Sequence, residues 1–326
     1  MSFTIFGDPL SAVDTSSLSD WQGVDLLSGE NGEYYQPPIS MRGLAKLVKA
    51  SPHHGTLVFF KANMLAKYLN PNRLLSKKAI RKAGIDFGTT GNCYFKRVFN
   101  NAGQVIAINN LPAINMRRKP GNLYCYLNKD GSITHFKLGE VVHIMDEDPE
   151  QSIYGVPYWY GALQTILLGE DSRLFYRRYF KNGASTGLAI ATSGLKEASV
   201  SVLQAAIKGI KGLGIWKAMH LDFPAGKIED MIKVLPFTND GAKIDYAKFM
   251  AISKDEICAA WRIRPEIAGM MPENTGGSGD LLKIMQLFHE FELMPFQDVI
   301  MELNDYLPLD AQIAFDNPYK DINPAV

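Results

Sequence analysis

The sequence predicts an α+β chain with more than one lobe, and three observations carry that reading. Between Gly91 and Met145, short apolar runs are separated by Asn-Gly, Pro-Gly and Asp-Gly pairs, the pattern of a small antiparallel sheet. Three long stretches, Tyr158–Lys181, Asp245–Trp261 and Asp280–Asn304, carry helical periodicity instead. At 326 residues the chain exceeds one average domain and has room for a sizeable core.

The first forty residues read as an extended arm with little secondary structure, from Gly7-Asp8-Pro9 through the serines of 11–19 to Tyr34-Tyr35-Gln36-Pro37-Pro38. Short helices follow at Met41–Ala50 and His53–Tyr68. The second is entered through Ser51-Pro52, because a serine hydroxyl caps free backbone N–H groups and proline is tolerated in a first turn. Leu75–Gly84 is a third helix, capped by Ser76. Strands are expected at Cys93–Phe99, Val105–Ile108, Ile114–Arg118, Leu123–Leu127, Thr134–Leu138 and Val141–Met145, with Lys129-Asp130-Gly131 as a hairpin turn.

The first long helix is punctuated at both ends, by Gly155-Val156-Pro157 before it and Asn182-Gly183 after it. Leu163, Ile166, Leu167 and Leu174 form its apolar stripe. Arg173, Arg177 and Lys181 stand at i, i+4 and i+8 and share one face, with Arg178 beside it. Phe175, Tyr176, Tyr179 and Phe180 fill the neighbouring faces. Such a face fits a solvated basic surface paired with Glu170 and Asp171, a subunit interface, or a polyanion path.

Leu188–Ala191 and Ile215–Leu221 read as strands around a short helix near Glu197–Ile210, with Gly209, Gly212 and Gly214 loosening the loop. Asn239-Asp240-Gly241 turns the chain into the second long helix, which Arg264-Pro265 ends. The stretch from Pro272 to Asp280 is the most flexible composition in the chain. Pro295 is expected to kink the third long helix, and Ala311–Phe315 to close the fold as a strand.

Bulk properties narrow the function. Thirty-four basic side chains balance 34 acidic ones, and this neutrality argues against tight, generic DNA binding. Cys93, Cys125 and Cys258 lie far apart without a CxxC and read as small buried apolar residues. No signal peptide and no membrane-length apolar run is evident, so the expectation is a soluble intracellular protein.

Catalytic motifs are missing. Asn274–Asp280 is glycine-rich but lacks the Gly-Lys-Ser/Thr ending of a phosphate loop, and there is no GxGxxG, GxSxG or HExxH. The histidines show no metal-ligand spacing, and adjacent His53-His54 on a helix point about 100° apart. Glu147/Asp148 and Asp255/Glu256 read as solvated surface charge. No catalytic residue, metal ligand or cofactor is expected.

The order of these parts, with their motifs, resembles the portal (head–tail connector) proteins of tailed bacteriophages, specifically the PBSX-type portal family. The likeness begins at Phe3–Pro9 and Tyr34–Pro38 and continues through Gly43-Leu44-Ala45-Lys46, His53-His54 and Gly91-Asn92-Cys93-Tyr94. It is strongest at Tyr154-Gly155-Val156-Pro157, Gly161-Ala162-Leu163, Arg177-Arg178-Tyr179 and Lys181-Asn182-Gly183. It runs on through Lys254-Asp255-Glu256-Ile257, Met271-Pro272, Asn274-Thr275-Gly276-Gly277, Gly279-Asp280, Met294-Pro295-Phe296-Gln297 and Glu302-Leu303-Asn304-Asp305. Departures are local: Pro265-Glu266 stands where two prolines are common, Ser278 where an aromatic usually follows the glycines, and Gly169 weakens the first long helix by about 1 kcal/mol.

The resemblance implies a portal fold: a wing of helices and a small antiparallel sheet, a two-helix stem, a small α/β clip and a tunnel loop, with no large crown. It places the arm and wing in residues 1–153, the first stem helix in 154–181 and the clip in 182–240. The second stem helix then takes 241–264, the tunnel loop 265–279, and a kinked helix with a closing wing strand 280–326. It implies a ring, typically of twelve subunits, at one capsid vertex of the virion, assembled in the bacterial host cytoplasm. Double-stranded DNA would pass its channel, and terminase, capsid or scaffold proteins and head-completion or tail proteins would dock on it. Asn274, Thr275, Gly276, Gly277, Ser278, Gly279 and Asp280 would line the channel. Arg173, Arg177, Arg178, Lys181, Tyr176 and Phe180, with Asp255 and Glu256, would form a stem interface or face the channel. The rival readings are another head–tail adaptor ring, whose chains are usually much shorter, and a phage DNA-processing enzyme, which would need clustered acidic metal ligands.

Overall fold

In the computed structural model the described residues are 2–6, 27–28, 33–181, 188–193, 218–223, 232–236, 246–270 and 280–319. The chain forms two compact units, one of Met1–Asp14 with Leu168–Phe249, the other of Thr15–Leu167 with Met250–Val326.

The larger unit opens on helices α1 (Met41–Ala50), α2 (Pro52–Tyr68) and α3 (Lys77–Thr90). Each begins on a serine whose hydroxyl accepts a hydrogen bond from the backbone N–H three residues on: Ser40 from Gly43, Ser51 from His54 and Ser76 from Ala79. In α1, Met41, Leu44 and Leu47 turn inward, while α2 buries residues on several sides and lies at the centre of the core. The helix α3 runs six residues past its expected end at Gly84 and stops at Gly91, which takes the left-handed conformation. Gly84 and Gly88 do not break it because their bare faces pack against Ala62 and Trp261.

The apolar runs from Gly91 onward give two small antiparallel sheets where one was expected. In the first, β5 (Asn92–Phe99) lies between β10 (Val141–Met145) and β6 (Val105–Leu111). In the second, β7 (Met116–Lys119), β8 (Leu123–Leu127) and β9 (Ile133–His135) pair in sequence order. Tyr94, Ala113, Met116, Phe136 and Val141 form a satellite core of their own. Two short pairs finish this unit: β2 (Leu27–Ser28) with β3 (Tyr34–Tyr35), and β4 (Leu69–Asn70) with β14 (Ala314–Phe315).

The smaller unit holds a four-stranded mixed sheet in the order β1 (Ser2–Phe6), β12 (Ala218–Phe223), β11 (Leu188–Ser193), β13 (Ile232–Pro236). Strands β11 and β12 are parallel, with Ile190 opposite His220. The first of these strands corrects the expected arm: Ser2–Phe6 pairs antiparallel with β12, Thr4 opposite His220. β13 was not expected at all, and the helix anticipated near Glu197–Ile210 lies outside the described residues.

Long helices α4 (Leu163–Lys181) and α5 (Tyr246–Ala260) account for the other periodic segments, and a 3-10 turn at Tyr158–Ala162 leads into α4. Gly169 does not interrupt α4. The last long segment is α6 (Leu281–Phe288), a π-helical turn at His289–Leu293, and α7 (Met294–Met301). The irregularity expected at Pro295 thus takes the form of a widened turn just before it. A proline ring meets the carbonyl four residues back, and a π turn makes room for it. Cys93, Cys125 and Cys258 are all buried free thiols.

Candidate functional site

Three long helical segments reach α2 in the core of the larger unit, and that junction sets where the candidate stem begins and ends. Trp159, in the turn before α4, and Trp261, just after α5, lie nearly parallel with ring centroids 6.2 Å apart. The His54 ring sits 4.2 Å from Trp159 and 5.6 Å from Trp261. Trp261 Nε1–H donates to His54 Nδ1 at 3.1 Å, and Trp159 Nε1–H donates to the Gly88 carbonyl at 2.6 Å. Accepting from an indole requires an unprotonated Nδ1, and burial holds the His54 imidazole neutral by lowering its pKa to about 3. His54 is therefore a core histidine.

A buried charge cluster lies beside the tryptophans. Lys61, on α2, is 6% exposed; its Nζ donates to Tyr158 Oη at 3.0 Å and to Glu292 Oε2 at 3.4 Å. It also stands over the Tyr158 ring, 4.5 Å from the centroid. Glu292 Oε1 lies 3.6 Å from Arg262 Nη1. Burial pulls the Lys61 pKa down, and the neighbouring Glu292 works against that shift without cancelling it. The π turn carries Glu292 to this position. Asp146 Oδ2 completes the corner by accepting from the Tyr158 N–H at 3.2 Å.

Leu163 and Ile166 bury the first turns of α4, and Ile257 and Cys258 do the same for α5. Thr165 Oγ1–H donates to Glu256 Oε2 at 2.9 Å and ties the two helices together. The helix α5 closes with Ile263 N–H on Cys258 O and Arg262 N–H on Ala259 O, which puts Arg262 at φ 54 where glycine usually stands.

The residues singled out from sequence fall into four groups. Glu256 is engaged with Thr165, and Asp255 lies 3.5 Å from its neighbour Lys254, so both have partners within their own subunit. Arg173 donates to the Gly169 carbonyl at 3.3 Å, Tyr176 is half-buried, and Arg177 is exposed. Glu170 is not a freely solvated partner for them: burial and then Asp171 raise its pKa, with Arg173 acting against both. The side chains of Phe175, Arg178, Tyr179, Phe180 and Lys181, and the loop residues Asn274, Thr275, Gly276, Gly277, Ser278 and Gly279, lie outside the described residues. Asp280 is a helix cap, its Oδ1 accepting from Leu282 N–H at 3.1 Å and Lys283 N–H at 3.4 Å.

The family model for phage portal proteins matches residues 60–310. A curated relative described as a probable portal protein, from Escherichia phage P2, is 32% identical over 305 residues, covering 93% of this chain and 87% of its own. The chain belongs to the phage portal protein family. Its fold agrees with that of a portal protein of the HK97 family from Corynebacterium diphtheriae, with a TM-score of 0.58 at 12% identity over 83% of this chain and 95% of that one. It also agrees with a chain in the neck of a native gene transfer agent particle computed with C12 symmetry, with a TM-score of 0.58 at 16% identity over 84% of each chain. The role of this portal-family chain is that of a phage portal, or head–tail connector.

Sequence reasoning missed the junction. His54 was grouped with its neighbour His53, whereas its actual partner, Trp261, is 207 residues away. Lys61 and Glu292 are 231 residues apart, and neither has a local signal. Among the described residues no group of three His, Cys, Asp or Glu side chains is placed to hold a metal ion, and no helix is long and apolar enough to cross a membrane.

Proposed function

We propose that copies of this chain form a closed ring at one vertex of the capsid, with α4 and α5 as the stem around a channel for double-stranded DNA. In this reading the arm and wing comprise residues 1–153, the clip 182–240, the tunnel loop 265–279, and the kinked helix with closing strand 280–326. The ring admits DNA driven by the terminase motor, which hydrolyses the ATP, and later binds the head-completion and tail proteins through which DNA leaves. The chain itself carries out no covalent chemistry.

The observation that carries the reading is the relationship to a probable portal protein of Escherichia phage P2 over 93% of the chain. The twelvefold symmetry named for the gene transfer agent neck supports a cyclic assembly. A conduit must let DNA slide, so the channel should offer few firm phosphate contacts. The small polar residues Asn274 to Ser278 suit that requirement. Electron microscopy of the purified protein is the test. Rings with a central hole are the expected result; monomers under every assembly condition would overturn the proposal.

A further inference from the structure

The charge balance of the chain conceals a strong local excess. Residues 41–90 contain ten lysines and arginines and a single carboxylate, Asp86, so the remainder of the neutral chain holds a compensating surplus of nine acids. Nine of those ten cations are exposed, Lys61 alone being buried. The one carboxylate adds little to the balance, since burial pushes the Asp86 pKa up to about 7.

The cations concentrate where α2 ends and α3 begins. Lys78 and Lys82, one helical turn apart on α3, line a concavity of about 400 Å³ with Arg73 and the amides of Asn72, Asn109 and Asn110. Lys67, Lys77 and Arg81 occupy the adjoining flank: Lys77 Nζ donates to the Lys67 carbonyl at 2.9 Å, and Arg81 Nε donates to Asn63 Oδ1 at 2.5 Å. The nearby Asp310 is already held by Arg73 through two hydrogen bonds, at 2.9 and 3.1 Å. Four of these cations do not serve their helix. Lys77, Lys78, Arg81 and Lys82 stand in the first turns of α3, which has no acidic residue there, where the helix dipole disfavours positive charge.

We infer that this basic surface of α2 and α3 is a docking site for the phosphate backbone of duplex DNA, additional to the channel. Lysines, arginines and amides are the groups that position a protein on phosphates without reading sequence, and the exposed ring of Phe59 on α2 lies under the Arg81 guanidinium, 5.8 Å from it. A protein partner would be expected on a patch with an apolar centre. The exposed Leu281, Leu282, Leu287 and Phe291 of α6 and the π turn provide that elsewhere. Contacts of this kind are weak and salt-dependent, which suits DNA that lies against a portal before or after it moves. The inference rests on the portal reading.

Covalently closed circular duplex DNA tests it, because a closed circle cannot thread a closed ring. Assembled wild-type protein is expected to retard the circle at about 50 mM salt and release it as salt rises. The double variant Lys78→Gln/Lys82→Gln should still form rings, bind about tenfold more weakly, and show a log–log salt slope smaller by about 2. Lys129→Gln/Lys137→Gln, in the turn between β8 and β9 and the loop after β9, should bind as wild type. Three results would overturn the site: wild-type rings that ignore the circle, an α3 variant that binds unchanged, or an α3 variant that fails to assemble, which would mark a subunit contact. Equal binding of polyglutamate would point to an acidic protein and also count against it. Ring formation is scored separately by microscopy, so a failure of the portal reading is seen on its own.

Discussion

Gly155 has no room for a side chain. A Cβ there would lie 2.1 Å from the Gly91 carbonyl oxygen and 2.7 Å from the Asp146 nitrogen. Asn92 locks this crossing, its Nδ2–H groups donating to the Gly155 and Thr90 carbonyls at 2.8 and 2.6 Å and its Oδ1 accepting from Gly155 N–H at 2.8 Å. Gly155→Ala should therefore cost about 3 kcal/mol in urea denaturation of the unassembled subunit. Gly161→Ala, which meets open space, should stay within about 0.5 kcal/mol of wild type. Similar values for the two would refute the packing argument. The histidines of this unit give a second prediction. His143, stacked on Tyr94 with centroids 4.2 Å apart, is held neutral by burial at a pKa of about 3, as His54 is, against 6.5 for a free histidine. The unfolded chain binds more protons between those values, so this stability is complete above pH 6.5 and is lost as pH falls toward 3. Asp86 works the other way, since its folded pKa near 7 lies above the ordinary 3.8, and burial shifts Asp146, Glu170 and Glu302 in the same sense, while His289 adds to the histidines. Melting temperature should fall between pH 7 and pH 5, and His143→Gln should flatten part of that slope. Parallel profiles for wild type and variant would exclude His143 as a source.

At the scale of elements, the junction on α2 makes an asymmetric prediction. Glu292→Gln removes the carboxylate charge nearest the buried Lys61 ammonium, leaving neutral acceptors and the weaker influence of Asp146, and should cost about 3 kcal/mol. Lys61→Met leaves Glu292 with Arg262, 3.6 Å away, and should cost less than about 1.5 kcal/mol. The double variant should recover most of the loss, and denaturation midpoints give all three numbers. Equal losses without recovery would mean that packing rather than charge holds the junction. The contrast also separates what the sequence showed from what it hid. Helix α2 was legible because Ser51 and Pro52 write its start locally. Helix α3 was cut short because Gly84 and Gly88 look like breakers until Ala62 and Trp261 are seen packed against them. Strand β1 was missed because its only justification is a partner more than two hundred residues away. The candidate stem face was visible as the spacing of Arg173 and Arg177. The Lys61–Glu292 pair was not, since no periodicity links side chains on α2 to the π turn.

For the whole molecule, a neutral net charge is a poor guide to what its surfaces do. The surplus of nine cations in residues 41–90 vanishes in the sum and reappears only when the chain is read by region. The cations of α4 pose the same question at the scale of an assembly. Arg177 is exposed, and so are Asp255 and Glu256 despite their contacts with Lys254 and Thr165, so in a ring these carboxylates of the neighbouring copy are candidates to pair with Arg177. One exposed ion pair is worth only about 0.2–1 kcal/mol, but a ring repeats it at every interface. Screening shortens its reach from about 10 Å at 0.1 M salt to about 3 Å at 1 M. If Arg177 works at the interface, 1 M sodium chloride should shift wild-type rings toward free subunits in sedimentation. Arg177→Glu should produce the same shift at 0.1 M, because reversing the charge turns attraction into repulsion. Rings indifferent to salt, with an Arg177→Glu variant that assembles fully and fails only in packaging DNA, would place this cation on the channel wall instead.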